Sequence, residues 1–368
     1  MTADLDDRLA RARAAAAAAG LDALLITPGA GLRYLTGYHA IPLERLTCLV
    51  LPVDGTASLV VPALEEPAAV ASGAAELALE VRTFQETDDA VALAAGLLPG
   101  ARRVGLDDRM WAEKALRFRG AMPSVEQVAA GPVLAELRMR QSAAEVELLR
   151  EAADAIDRVH ARMGEWLRAG RTEAEVGRDI AAAVLAEGHA TADFVIVASG
   201  PNGASPHHET SGRVIAAGDP VVVDIGGTTA AGYCSDSTRV YAAGEPSEEF
   251  RTAYSALQAA QEAAVAHVRP GVTAESVDAA ARSVLDAAGL GEYFIHRTGH
   301  GIGLETHEEP YIVAGNALPL EPGMAFSVEP GFYLAGRHGA RIEDIVVTTA
   351  DGVEALNRRP HELVILDT

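Results

Sequence analysis

RAGRTEAEV (residues 168–176) returns about a hundred positions later as RPGVTAESV (residues 269–277). Arg168, Gly170, Thr172 and Val176 fall on Arg269, Gly271, Thr273 and Val277, each 101 positions further on (168 to 269). Both copies follow a helical pattern and open another. At nearly the same interval Phe194 falls on Phe294 and His207 on His307, 100 positions apart (207 to 307). A period near 100 residues is too long for a solenoid. It predicts two similar halves related by an approximate two-fold axis, which would bring His207 and His307 together.

Each half closes on strands that carry acids. DPVVVDIGGTTAAGYCSDSTRVY (219–241) reads as an apolar strand into Asp224, a turn region through Gly226-Gly227 and Gly232-Tyr233, and a return strand through Asp236. GMAFSVEPGFY (323–333) and GARIEDIVVTT (339–349) set Glu329 and Glu343 inside apolar strand patterns. Carboxylates flanked by Val, Ile and Phe are costly unless paired, protonated or bound to metal.

Taken singly, each has an ordinary explanation. Asp224 could form a turn, Glu343 could pair with Arg341 at a surface, and His300 could be a satisfied core histidine. The set is harder to dismiss: two Asp, two Glu and one His, in the order expected of mirrored halves. His300 lies in RTGHGIGLETHEEP (297–310) between Gly299 and Gly301, with Gly303 following. Glycine costs roughly 1 kcal/mol in a helix and packs poorly in a strand, so these glycines predict backbone crowded against whatever His300 binds. An oxygen-rich donor set with one imidazole suits two divalent ions such as Mn2+, Co2+ or Fe2+ better than a thiolate zinc site. Two such ions sharing a water are hydrolytic machinery.

Composition sets the outer bounds. A chain of 368 residues, 49% hydrophobic, predicts two domains with filled cores. A net charge of −22 opposes nucleic acid as a partner. Two cysteines, Cys48 and Cys234, make neither a disulfide framework nor a thiolate metal site. The N-terminal MTADLDDRLARARAAAAAAG puts acids first and arginines before the alanine run, the wrong order for a signal peptide. No apolar stretch approaches the roughly 20 residues that span a bilayer. The expected setting is cytoplasmic, with no membrane partner.

The first third alternates strand-like LDALLITP, TCLVLPV and ASLVVPAL with helical stretches over 4–19 and 87–98, an α/β layer. Residues 137–170 then read as one long helical pattern, with Ser142 and Glu145 forming a capping box. The domain boundary is therefore expected near residue 137, giving domains of 1–137 and 138–368.

VVVDIGG, GYCSDSTR, TGHGIGLETHEEP, SVEPGFY and GARIED resemble the motifs of the creatinase/methionine aminopeptidase superfamily, the pita-bread metallopeptidases. The nearest branch is that of Xaa-Pro dipeptidases (prolidases) and aminopeptidases P. The resemblance covers about 140–365, and DALLITPGAGLRYLTGY resembles the creatinase-type first domain more weakly. It implies an α/β creatinase-like N-terminal domain followed by an α+β pita-bread catalytic domain with internal pseudo-two-fold symmetry.

Carried over by motif, the resemblance implies two divalent ions held by Asp224, Asp236, His300, Glu329 and Glu343. Manganese is the first choice, with Co2+, Fe2+ or Zn2+ as alternatives. Asp236 and Glu343 would bridge the ions, Asp224 would complete one site, and His300 with Glu329 the other. Glu329 would also shuttle the proton. His207 and His307 would contact substrate and steady the tetrahedral intermediate. His207 is preferred to its neighbour His208 because the family pattern has Pro-His, as in Pro206-His207. His296 and Arg341 match substrate-pocket positions, with Arg341 expected to meet the carboxylate of a C-terminal proline. The remaining histidines, His39, His160, His189, His267, His338 and His361, match no role. The spacing from Asp224 to Asp236 is one residue longer than the family often shows, which predicts an addition at the hairpin tip.

The implied activity is hydrolysis of the Xaa-Pro bond of dipeptides by a homodimer. Alternatives are aminopeptidase P activity on longer peptides and metal-dependent hydrolysis of another small amide. A non-catalytic binding module on the same fold would be expected to have lost ligands, and none is missing.

Overall fold

Apolar runs too short for helices form the sheet of the N-terminal unit. In the computed structural model, which describes residues 2–366, the chain divides into two units, one ending at Arg138 and the other beginning at Met139. The first runs through α1 (Thr2–Ala18), β1 (Ala23–Ile26), α2 (Ala30–Thr36), β2 (Cys48–Pro52), β3 (Ala57–Pro62), α3 (Glu66–Val70), β4 (Leu79–Phe84), α4 (Ala90–Gly96), β5 (Arg103–Leu106), α5 (Ala112–Ala121), β6 (Glu126–Ala129) and α6 (Gly131–Arg138). Its sheet has the order β4-β3-β2-β1-β5-β6. Strand β2 is antiparallel to β1, whereas β5 is parallel to it and β6 parallel to β5.

The three strand-like runs of the sequence are β1, β2 and β3. Leu25, Val50, Val60 and Val104 pack there with Phe118, and burying each such side chain contributes roughly 1.5–3 kcal/mol. Helix α4 is shorter than the expected 87–98. The Asp89 side chain accepts hydrogen bonds from the Val91 and Ala92 N–H groups, which starts the helix at Ala90 and leaves the preceding residues in a turn.

The second unit comprises α7 (Ala143–Ala161), α8 (Glu173–Ala186), β7 (His189–Ser199), β8 (Pro220–Thr229), β9 (Cys234–Ala243), α9 (Glu248–His267), α10 (Ala274–Ala287), β10 (Gly299–Gly301), β11 (Glu308–Ile312), β12 (Ala325–Val328), β13 (Gly331–Leu334), β14 (His338–Arg341), β15 (Asp344–Thr348), β16 (Val353–Ala355) and β17 (Val364–Leu366). The helical pattern read over 137–170 is broken in two places. The Gln141 N–H donates to the Gly323 carbonyl at 2.8 Å, so the chain leaves the helical path before Ser142 and Glu145 close their capping box on α7. That helix ends at Ala161, before a short 3-10 turn over Met163–Glu165.

The repeated letters mark a repeated backbone turn. Gly170 and Gly271 have φ of +86° and +87°, a left-handed conformation that favours glycine. The Gly170 N–H donates to the Ile215 carbonyl at 2.9 Å, and the Gly271 N–H to the Leu320 carbonyl at 2.8 Å. Thr172 and Thr273 follow in extended conformation, at φ −84° and −82°, and lead into α8 and α10. Each half thus presents the same turn and helix ahead of its strands.

Those strands form a sheet of order β17-β9-β8-β7, a second of order β11-β10-β12-β15-β16, and the hairpin β13-β14. Two details differ from the sequence reading. Gly226 and Gly227 lie within β8, and the turn is at 230–233. They are glycine because a Cβ on Gly226 would stand 2.4 Å from the Phe194 ring and the Ser235 carbonyl. Glu329 and Glu343 do not lie inside strands either. They occupy the breaks after β12 and after β14, where the chain turns its side chains inward, and the Glu343 N–H donates to the Thr238 carbonyl at 3.2 Å.

Candidate active site

In the β8–β9 ladder Asp224 stands opposite Thr238 and Gly226 opposite Asp236. Residues two apart share a face, so both aspartates project from the same side. The second half supplies His300 from β10, Glu329 after β12 and Glu343 beside Thr238. All five acids and imidazoles singled out in the sequence come together. Ligand-capable atoms of Asp224, Asp236 and Glu343 lie within 4.8 Å of one another, as do those of His300, Glu329 and Glu343. A third such group is Asp236, His300 and His307. The five line a cavity of 760 Å³ together with His207, His296, His307 and Arg341, and with Phe194, Ile196, Pro206, Arg297 and Thr306.

The glycines around His300 act differently from the expectation. A Cβ on Gly299 would lie 1.8 Å from the Ser327 carbonyl oxygen, and one on Gly301 would lie 2.2 Å from that of Glu309. They admit the backbone of neighbouring chain segments and so seat β10 deeply, leaving the imidazole to face the cavity. His300 Nδ1 lies 3.1 Å from the Gly301 carbonyl. That contact fixes the proton on Nδ1 and leaves Nε2 as a lone pair, 3.3 Å from Glu329 Oε1 and 3.6 Å from Asp236 Oδ2.

Burial pushes the His300 pKa down to about 3, reinforced by His307, so this imidazole is neutral at neutral pH. Burial also pushes Asp236 and Glu343 well above the usual carboxylate range. Repulsion among Asp236, Glu343, Asp224 and Glu329 adds to this. Glu329 is pushed up to about 7, chiefly by burial. The Asp224 Oδ1 atom is buried without a hydrogen-bond partner. Three buried carboxylates, one with an orphaned oxygen, and the half-buried Glu329, beside a neutral imidazole with a free lone pair, are the donors two hard or borderline divalent cations would neutralise. The residues therefore fit a dinuclear metal site.

His207 lies in the turn after the short 3-10 helix Gly200–Ala204 and lines the cavity. His208 turns the other way, its Nε2 2.9 Å from Glu173 Oε2. Glu173 is fully buried and ties this loop down, accepting also from the Ser199 N–H, the Asn202 amide and the Ser211 hydroxyl at 2.7, 3.0 and 2.6 Å.

Two expected substrate contacts are already engaged by protein groups. His296 has Nδ1 2.7 Å from the Arg297 carbonyl and Nε2 2.9 Å from the Tyr333 hydroxyl, which leaves neither ring nitrogen for substrate. Arg341 lies in the cavity wall, yet each of its nitrogens has a partner. Nε donates to Thr238 Oγ1 at 3.1 Å, Nη1 to the Tyr333 hydroxyl at 2.8 Å, and Nη2 to Asp224 Oδ2.

Sequence reasoning missed Thr238, Ser327, Tyr333, Glu173 and Arg297. Thr238 donates to Glu343 Oε2 at 2.7 Å and Ser327 to Glu329 Oε1 at 3.1 Å. Each stands two residues from one of the acids, so strand periodicity could have found them. Glu173 sits within the opening repeat. Arg297, between His296 and Thr298, carried no signal beyond its charge.

Residues 147–350 match the model of metallopeptidase family M24, and residues 8–140 match that of the creatinase/prolidase N-terminal domain. The chain is 56% identical over 360 residues to a protein of Mycobacterium tuberculosis named "Probable dipeptidase PepE", covering 98% of this chain and 96% of that one. Among solved structures, dipeptidase PepE of Mycobacterium ulcerans superposes with a TM-score of 0.95 at 56% identity, covering 100% of this chain and 99% of that one. The prolidase of Thermococcus sibiricus superposes with a TM-score of 0.92 at 37% identity, with 99% of both chains covered. Among the described residues no helix is long and apolar enough to cross a membrane.

Proposed function

The chain belongs to metallopeptidase family M24, and from that premise we propose that it is an Xaa-Pro dipeptidase. Asp224, Asp236, His300, Glu329 and Glu343 would hold two divalent ions, with Asp236 and Glu343 shared between them. The observation that carries the proposal is the convergence of four carboxylates, three of them buried, and one imidazole in a cavity that also has an apolar wall. An oxygen-rich donor set with no thiolate favours Mn2+ over the alternatives.

Two bound ions would supply a hydroxide near neutral pH and polarise the scissile carbonyl. The protein's own groups do the rest. Glu329, pushed up to about 7 and hydrogen-bonded by Ser327, holds the proton taken from the attacking water and passes it to the departing proline nitrogen. His207 and His307, one from each half, offer N–H donors to the oxygen that gains charge as the carbonyl becomes tetrahedral. Phe194, Ile196 and Pro206 line the cavity, where they would pack the pyrrolidine ring and exclude water. An Xaa-Pro bond has no N–H, so a protease that reads its substrate as an added strand loses a donor there. A pocket that grips the ring and the carbonyl has no such need.

The direct experiment compares an Xaa-Pro dipeptide with the matching Xaa-Pro-Yaa tripeptide on Mn2+-loaded protein. Cleavage of the dipeptide alone supports the proposal. Equal cleavage of the tripeptide would replace it with an aminopeptidase P.

A homodimer is part of the same proposal. Its support is that the first unit carries none of the clustered acids and exposes the apolar Ile41 and Leu64. Sedimentation of only a 38.3 kDa particle at micromolar concentration would contradict it. A reducing, cytoplasmic setting is supported by two buried free thiols, Cys48 and Cys234.

A further inference from the structure

A dipeptide brings its free carboxylate into a cavity already lined by Asp224, Asp236, Glu329 and Glu343. Two divalent ions would neutralise those four acids, and a further carboxylate buried beside them still needs a cation of its own. Two guanidinium groups line the cavity, those of Arg341 and Arg297. Arg341 is 3% exposed and is held by Asp224, Tyr333 and Thr238. It is committed to Asp224 and its neighbours and has no open edge to offer.

Arg297 is arranged differently. It is half-buried, and its guanidinium lies over the Tyr311 ring, 4.4 Å from the centroid. Among the described residues its side chain makes no ion pair and donates no hydrogen bond. Stacking on an aromatic face holds a guanidinium plane while leaving its N–H edges open, and those edges match a carboxylate bidentately. The segment beneath is fixed as well, because the Arg297 carbonyl is 2.7 Å from His296 Nδ1 while the other nitrogen of that ring meets Tyr333. The fork is thus pre-organised before substrate arrives.

We propose that Arg297, and not Arg341, receives the α-carboxylate of the dipeptide and so sets the length of substrate accepted. The assignment rests on the dipeptidase proposal above. A carboxylate docked on Arg297 places the end of the substrate against the Tyr311 side of the cavity. A further residue would both remove that charge and need the space the fork occupies.

The test measures kcat/KM on four substrates, Ala-Pro, Ala-Pro-amide, Ala-Leu and Ala-Leu-amide, for the wild type and for Arg297→Gln, Arg297→Lys and Arg341→Met. In Arg297→Gln the preference for acid over amide is expected to fall roughly 10- to 100-fold, through KM for the acids, with part of it kept in Arg297→Lys. Metal content and melting temperature of Arg297→Gln exclude a folding defect, and the lysine variant keeps both the stem and the charge. An unchanged acid-to-amide ratio in Arg297→Gln, or its loss only in Arg341→Met, overturns the assignment while leaving the dipeptidase proposal intact. A wild type that prefers acids without preferring proline supports the assignment and removes the Xaa-Pro proposal instead. A wild type that cleaves amides as readily as acids overturns both.

Discussion

The imidazole of His307 stands edge-on to that of His300, their ring centroids 4.1 Å apart and their planes at 88°. The two rings of RTGHGIGLETHEEP therefore meet, and their environments differ. His300 is buried with its Nδ1 tied to Gly301, whereas His307 is exposed to the cavity. Partial desolvation in the cavity, followed by the charges of Arg297 and His207, lowers the His307 pKa and so favours its neutral form.

Alanine at His207 or His307 is expected to leave metal content near wild type while the hydrolytic rate falls about 100-fold or more, the scale for losing an oxyanion or acid–base partner. Metal analysis beside kinetics checks this. Loss of metal in His307→Ala would make it a ligand, for which its proximity to Asp236 and His300 provides the geometry.

Asp236→Ala and Glu343→Ala each remove a carboxylate proposed to be shared by both ions. Bound metal should drop below two per chain and hydrolysis should disappear. Two tightly held ions in either variant, measured by elemental analysis after gel filtration, would contradict the sharing.

Arg341→Met leaves Asp224 buried without its cation and removes the hydrogen bonds to Tyr333 and Thr238. Breaking a buried pair from one side costs about 3–5 kcal/mol, so unfolding of the metal-free variant should shift by that amount. A shift under about 1 kcal/mol, the worth of a surface pair, would show that the pair carries little.

Glu173 predicts an acid-labile second unit. Burial alone would raise its pKa, but donors from Ser211, Ser199 and His208 outweigh that and hold it down to about 2, against 4.5 for an ordinary Glu. A lowered carboxylate pKa stabilises the fold fully above pH 4.5, and this contribution is lost as pH falls toward 2, on the order of 3 kcal/mol in all. Glu173→Gln should be less stable at neutral pH and show a flatter stability profile between pH 4.5 and 2. An unchanged slope in acid titrations of denaturant midpoints would remove Glu173 from that role.

The parts of this fold written in letters are those where one residue type is physically required. Gly170 and Gly271 had to be glycine for a left-handed turn, and their recurrence exposed the two halves. Acids among Val, Ile and Phe were legible because burying them is costly, and the five donors meet as their order implied. The breaks that put Glu329 and Glu343 at strand ends were not legible, since GARIEDIVVTT looks continuous until Glu343 pairs across to Thr238. The long helix over 137–170 misled for a similar reason: helical propensity persists through Gln141, whose backbone is taken by Gly323. Arg341 lines the cavity, but which cation is spoken for depends on neighbours far away in sequence, such as Asp224, 117 residues earlier.

In the proposed mechanism, hydrolysis of an Xaa-Pro bond depends on two metal ions held by this cluster. Chelator-stripped protein reloaded stepwise with Mn2+, with Xaa-Pro hydrolysis followed against bound metal, tests it most directly. Activity should be absent in the stripped protein and reach its full value at two ions per chain. Hydrolysis persisting without metal, or full activity at one ion per chain, would contradict it.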